Sequence, residues 1–97
     1  MTVQLRLYTI NSGCLRQFAE EWKANVLPLR LEHGFRVHGA WIIEETNQFA
    51  WLIGYDGPES WAAVESAYYG SEKRKAMAPN PARLIARPEQ YFVESIL

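Results

Sequence analysis

Hydrophobic and polar positions alternate from the start of the chain. Val3, Leu5 and Leu7 fall on one side and Gln4, Arg6 and Tyr8 on the other, which predicts a strand over residues 3–10. Asn11-Ser12-Gly13 reads as a turn, with Ser12 placed to cap a following helix. Leu15, Phe18, Ala19, Trp22 and Val26 then recur at helical spacing, while Arg16, Glu20, Glu21 and Lys23 take the solvent face. Arg16 and Glu20 stand one turn apart and are expected to pair. Pro28 is expected to break or kink this helix, because it lacks an N–H and its ring crowds the preceding turn. A last turn over residues 29–33 stops at Gly34, a natural C′ residue.

A second strand is predicted over residues 35–45, with Thr46-Asn47 as a tight connection to a third over 48–55. In that third strand Phe49, Trp51, Ile53 and Tyr55 share one face, and Gln48, Ala50, Leu52 and Gly54 the other. One heavy aromatic face and one small face imply neighbours on both sides. Asp56-Gly57-Pro58-Glu59 reads as a helix start with Asp56 as cap and Glu59 in support. Trp61, Val64 and Tyr68 give the second helix its apolar stripe, and Gly70 ends it. Ser71 restarts a helical turn, with Glu72 early and Lys73, Arg74 and Lys75 late, as the helix dipole favours. Asn80-Pro81 opens another short turn, and residues 90–97 read as the closing strand.

The order β-α-β-β-α-β, with right-handed crossovers, predicts an α+β, ferredoxin-like domain over residues 1–97. In it a four-stranded antiparallel sheet carries both helices on one face. Val3, Leu5, Leu7, Ala50, Leu52 and Gly54 would form the other face, suited to a flat contact with a second sheet, so a homodimer is expected.

Composition narrows the function classes. With 10 basic and 11 acidic residues, no electrostatic case exists for nucleic acid or an anionic membrane as partner. The single cysteine, Cys14, excludes an internal disulfide and fits a reducing compartment. No secretory pattern and no apolar run of membrane-spanning length is visible, so a soluble, cytoplasmic protein is expected. Four Trp and five Tyr in 97 residues are a heavy aromatic load for one small core, and some of these rings are expected to meet a partner or a ligand.

Leu5-Arg6-Leu7-Tyr8-Thr9 before a glycine-containing turn, Trp22, Leu27-Pro28-Leu29, His33-Gly34, Gly39-Ala40-Trp41, Asn47-Gln48 and Tyr55-Asp56 together resemble the NIPSNAP-like branch of the dimeric α/β-barrel superfamily. Related sequences often carry a histidine and a tryptophan on the third strand, where this chain has Trp51 and Ile53. The resemblance implies pairing of two sheets into a dimeric barrel and a site between helices and sheet. It also brings in a range of activities: cofactor-independent oxygenases, isomerases and haem-degrading enzymes.

Candidate chemistry centres on Arg6. If Leu5 and Leu7 face away from the helices, Arg6 and Tyr8 point under them, beside Trp22, Trp51 and Tyr55. A guanidinium there must be paired or must reach a ligand, because a lone buried charge is strongly unfavourable. An aromatic pocket with one anion-binding fork is one reading, with Arg6, Trp22, Trp41 and Trp51 as ligand-binding residues. The other leaves Arg6 in an ion pair and the rings as ordinary core. Tyr8, Tyr55 and His38 are the proton-transfer candidates, His38 because imidazole titrates near neutral pH. His33 is explained as a cation at a helix C-terminus.

Cys14, His33 and His38 have no metal-ligand spacing, so neither a metal nor another cofactor is expected. The ligand class suggested is an aromatic or polyketide-like small molecule. Two alternatives stand beside it: haem held by His33 or His38, and a dimeric interaction module with a filled core.

Overall fold

The computed structural model describes all residues 1–97. Its sheet comprises β1 (Thr2–Ile10), β2 (Arg36–Ile43), β3 (Gln48–Tyr55) and β4 (Ile85–Val93), in the order β2-β3-β1-β4 with every pairing antiparallel. A helical segment follows β1: α1 (Leu15–Glu21), a π-helical turn (Trp22–Val26) and α2 (Leu27–Glu32). The second crossover carries α3 (Trp61–Gly70), α4 (Glu72–Lys75) and a 3-10 turn (Pro81–Leu84). This is the ferredoxin-like α+β arrangement expected from the pattern.

The two sheet faces divide as the alternation requires. Gln4, Arg6, Tyr8 and Ile10 of β1 are buried under the helices, as are Phe49, Trp51, Ile53 and Tyr55 of β3. Arg6 stands directly opposite Trp51, and Leu5 opposite Leu52 on the outer face. Phe18, Trp22, Val26 and Leu29 of the first helical segment and Val64 and Tyr68 of α3 close the core from the helix side. Edge-to-face rings knit it together: Phe18 and Phe49 lie 5.0 Å apart, Trp22 and Trp51 5.2 Å.

Pro28 does not break the helix. The chain opens into a π turn just before it, in which the Leu27 N–H donates to the Trp22 carbonyl five residues back. Pro28 then falls in the first turn of α2, where its missing N–H matters least. Gly34 takes φ +86 after the last turn, as a C′ glycine does.

Several local expectations change. The first helix starts one residue after Cys14, and Ser12 does not cap it: the Cys14 N–H is instead taken by the Asn11 carbonyl in a tight turn. Arg16 reaches across to Glu44 rather than to Glu20. The cap of α3 is Ser60, whose hydroxyl accepts from the Ala63 N–H at 3.1 Å. Asp56 is left to pair with Arg36 at 3.5 Å, and Glu59 accepts from the Tyr55 hydroxyl. β2 ends at Ile43, and a 3-10 turn (Glu44–Thr46) leads to Asn47, whose left-handed φ of 55 turns the chain into β3. The closing strand begins at Ile85, not at residue 90. Pro88 sits within it without penalty because β4 is an edge strand.

Candidate functional site

Where β1, the π turn, α2 and α3 meet, a small cavity of ≈ 80 Å³ remains between helices and sheet. Arg6 and Tyr8 line it from β1, Trp51 from β3, Trp22 from the π turn, Arg30 from α2, and Tyr68 and Tyr69 from α3. Arg74 of α4 and the Asn80–Ala82 segment border it from the second crossover.

Two guanidinium groups are buried here. Arg6 is 3% exposed and Arg30 1%. They share one counterion: Arg6 Nη2 donates to Glu65 Oε2 at 2.7 Å, and Arg30 Nη1 donates to Glu65 Oε1. The Tyr69 hydroxyl accepts from both, at 3.2 Å from Arg6 Nη1 and 3.1 Å from Arg30 Nη2. Gln4, itself buried, accepts from Arg6 Nε at 2.8 Å and fixes the plane of that guanidinium. Aromatic faces supply the rest of the cation stabilisation. Arg30 Cζ lies 3.7 Å from the Tyr68 ring centroid and 4.7 Å from that of Phe35, and Arg6 Cζ lies 5.5 Å from Trp51.

The electrostatic consequence is an excess of one positive charge. Burial alone would pull the Arg6 guanidinium down, but the Tyr8, Tyr69 and Glu65 oxygens around it hold its pKa above the usual arginine value. Arg6 is therefore charged at any working pH. Burial pushes the Tyr68 hydroxyl up, with Arg30 and Arg74 opposing the shift, so that ring stays neutral beside its two cations. Arg74 makes no ion pair; its guanidinium lies 5.3 Å from the Tyr69 ring at the cavity border.

The sequence-selected residues separate into two groups. Arg6, Tyr8, Trp22 and Trp51 come together around the cavity as expected. Tyr55, His38 and Trp41 do not. Tyr55 lies at the far end of β3, where its hydroxyl donates to Glu59. That hydrogen bond holds the Tyr55 pKa up and the Glu59 pKa down.

His38 and Trp41 lie on the outer face of the sheet. A β-bulge places both His38 and Gly39 against Leu52, and the His38 ring covers Gly54, where an added Cβ would stand 2.5 Å from Nε2. Trp41 folds over Gly39 on the same side and is half exposed. His33 packs edge-on against Tyr68 at 5.5 Å and does not line the cavity. A haem seated between helices and sheet would therefore find no imidazole there. No three His, Cys, Asp or Glu side chains gather in a way that could hold a metal ion.

Arg30, Glu65, Tyr68 and Tyr69 were missed as site residues. Arg30 had a signal: it stands four residues after Val26, on the stripe that buries Trp22 and Val26. Its charge argued for solvent instead. Glu65 and Tyr69 share a second stripe of α3, one residue out of step with Val64 and Tyr68, and that stripe faces the two arginines.

An antiparallel sheet with both helical segments on one face, and a small ring-walled cavity between them, places the chain among the ferredoxin-like α+β domains. Residues 3–95 match the NIPSNAP family model, and the chain belongs to the NIPSNAP family. The fold is shared with an uncharacterised NIPSNAP domain protein from Burkholderia xenovorans, at 21% identity and TM-score 0.84, covering 98% of this chain and 94% of that one. A NIPSNAP family protein from Agrobacterium tumefaciens matches at 16% identity and TM-score 0.83, over 96% of this chain and 90% of that one. A putative antibiotic biosynthesis monooxygenase from Nitrosomonas europaea shares the fold more distantly, at 11% identity and TM-score 0.70, over 98% and 89% of the two chains. No curated protein sequence matches the chain. No helix is long and apolar enough to cross a membrane.

Proposed function

We propose that this protein binds a small, enolisable molecule in the helix–sheet cavity and catalyses proton transfer on it. The observation that carries the reading is the pair of buried guanidinium groups, Arg6 and Arg30, held on one carboxylate beside unfilled space. A protein that needed only a sealed core gains nothing from burying two cations against one anion, since replacing such a cluster by apolar packing is often neutral or stabilising. A site that must stabilise negative charge gains a great deal.

Removal of a proton from the carbon next to a carbonyl places charge on the carbonyl oxygen. Arg6 and Arg30 would hold that oxygen, and the Tyr8 hydroxyl on the cavity wall would relay the proton, its oxygen taking the one from carbon as its own passes to solvent. Both an isomerase and a cofactor-independent oxygenase pass through such an enolate, and the fold shared with a putative antibiotic biosynthesis monooxygenase is compatible with either.

Incubating the protein in D2O with small enolisable ketones and keto acids, acetone and pyruvate among them, and following solvent deuterium at the α-carbon by NMR, tests this. Exchange faster than in buffer, lost in Arg6→Met and reduced in Tyr8→Phe, is the expected result. Buffer-rate exchange across the whole panel removes the catalytic reading.

The same proposal includes a homodimer formed through the outer sheet face. Trp41, Tyr91 and Val93 are exposed large residues on that face, and Leu5, Leu7 and Leu52 extend it into one apolar surface. Sedimentation at twice the 11.2 kDa chain mass is expected. A monomer at about 100 μM, well above the Kd of a stable dimer, would sink it.

A further inference from the structure

Resting on the cavity reading above, the structure carries a statement about the ligand itself. Within the protein, four buried side-chain polar atoms lack a hydrogen-bond partner: Trp22 Nε1, Trp51 Nε1, Arg30 Nε and the Tyr68 hydroxyl. All four belong to residues on the wall of the one helix–sheet cavity, and each of those residues is at least nine-tenths buried. Orphaned polar groups are few in folded proteins, and their gathering around one small space calls for a cause.

Their chemistry is one-sided. Indole N–H and guanidinium N–H groups, three of the four, can only donate, and the tyrosine hydroxyl can donate or accept. The acceptors close by are already used. Glu65 engages both arginines through its two oxygens, and the Tyr69 hydroxyl accepts from both. The cavity wall therefore offers more free donors than acceptors, the Tyr8 and Tyr68 hydroxyls being the acceptors left. Its charge points the same way, because Arg6 and Arg30 against Glu65 leave one positive charge uncompensated, with Arg74 unpaired at the border. Volume sets the size. At ≈ 80 Å³ the space holds about five to eight water-sized positions, room for a ligand of a handful of non-hydrogen atoms.

We infer that the cavity selects a compact monoanion rich in acceptors, a small carboxylate or the enolate-bearing head of a larger acid, as the missing partner of these donors. Glu65 acts as the fixed counterion that sets the preference at one negative charge. A ligand that must donate, such as a primary amide, brings no charge to the two arginines and finds few acceptors for its N–H groups, and is discriminated against.

The test is calorimetric titration of the protein with propionate, with its neutral isostere propionamide, and with the dianion malonate. Tryptophan emission from Trp22 and Trp51 serves as a second readout. Propionate is expected to bind at least about tenfold more tightly than propionamide and more tightly than malonate. Trp51→Phe keeps an aromatic ring and removes one donor, and should weaken propionate several-fold and propionamide by less. Equal binding of propionate and propionamide overturns the donor argument and leaves a cavity that binds by shape alone. Tighter binding of malonate overturns the single-charge assignment. Failure of propionate where benzoate binds overturns the size argument while the cavity reading survives. If neither the small acids nor benzoate binds and emission never changes, this inference and the cavity reading fall together.

Discussion

Glu65→Gln is expected to lower the unfolding free energy by about 3–5 kcal/mol, as removal of one partner from a buried ion cluster does. For a domain whose total stability is of order 5–15 kcal/mol, that brings the variant close to unfolding. The reason lies in the counting of charges. The Glu65 carboxylate is the only anion reaching either Arg6 or Arg30, and both guanidinium groups lie out of water. A glutamine keeps the shape, but its amide offers one acceptor oxygen and no charge. Two buried cations then face each other with only Tyr69 between them. Arg6→Met has a different outcome, because it leaves Arg30 and Glu65 as a neutral pair, and a loss of less than about 2 kcal/mol is expected. The triple variant Arg6→Met, Arg30→Met, Glu65→Met should recover most of what Glu65→Gln loses. Urea unfolding of the four proteins decides the matter. A Glu65→Gln variant within 1 kcal/mol of the parent would mean that water or backbone groups already carry the cations, and the cluster would lose its claim to be a charged site.

The period-2 alternation of Val3 to Tyr8 and Gln48 to Tyr55 made the sheet legible, because each strand has one face under helices and one outside, and a single slip would invert both. The Trp22–Val26 spacing placed the first helix equally well. Arg6 was legible as a buried cation for the same reason: it sits on the inward phase of an otherwise apolar strand. What remained hidden depended on contacts across elements. Glu65 looks like a solvent residue beside Val64 until α3 is docked over β1 and α2, and Arg30 looks like one until the π turn carries it under Tyr68. Ser60 displaced Asp56 as the helix cap because Asp56 and Glu59 were drawn to Arg36 and Tyr55, partners remote from the helix start in role if not in sequence. The start of the closing strand at Ile85 is hidden because Pro88 is compatible with a strand only at a sheet edge, and the edge position of β4 is set by its pairing with β1. Trp41 and His38 look like site residues by type alone; His38 follows the inward-facing Val37, and the bulge there carries Trp41 to the outside as well.

Trp51→Ala is expected to cost about 3–5 kcal/mol, and part of that loss should be recovered by adding indole. Trp51 is 1% exposed, packs edge-on against Trp22, and lies beside both guanidinium groups at 5.5 and 5.9 Å. Truncating it removes one of the two indole rings of the core and merges the vacated volume with the cavity already present. The walls cannot collapse freely into that space, because Arg6 and Arg30 are pinned by Glu65 and Gln4. A dry, ring-shaped hole beside two cations should therefore accept a free aromatic molecule. At a hundred times its Kd, indole would return about 2.7 kcal/mol by mass action alone. Trp41→Ala serves as the contrast: that ring is 51% exposed on the outer sheet face, so a small loss and no response to indole are expected for the monomeric fold. Thermal unfolding of both variants with and without indole is the measurement. If indole fails to stabilise Trp51→Ala, the helices have closed over the hole, and the cavity beneath them is not a rigid feature of the fold. If it stabilises that variant and not the parent, the same framework that holds the two arginines in place also holds open the space in which a ligand would meet them.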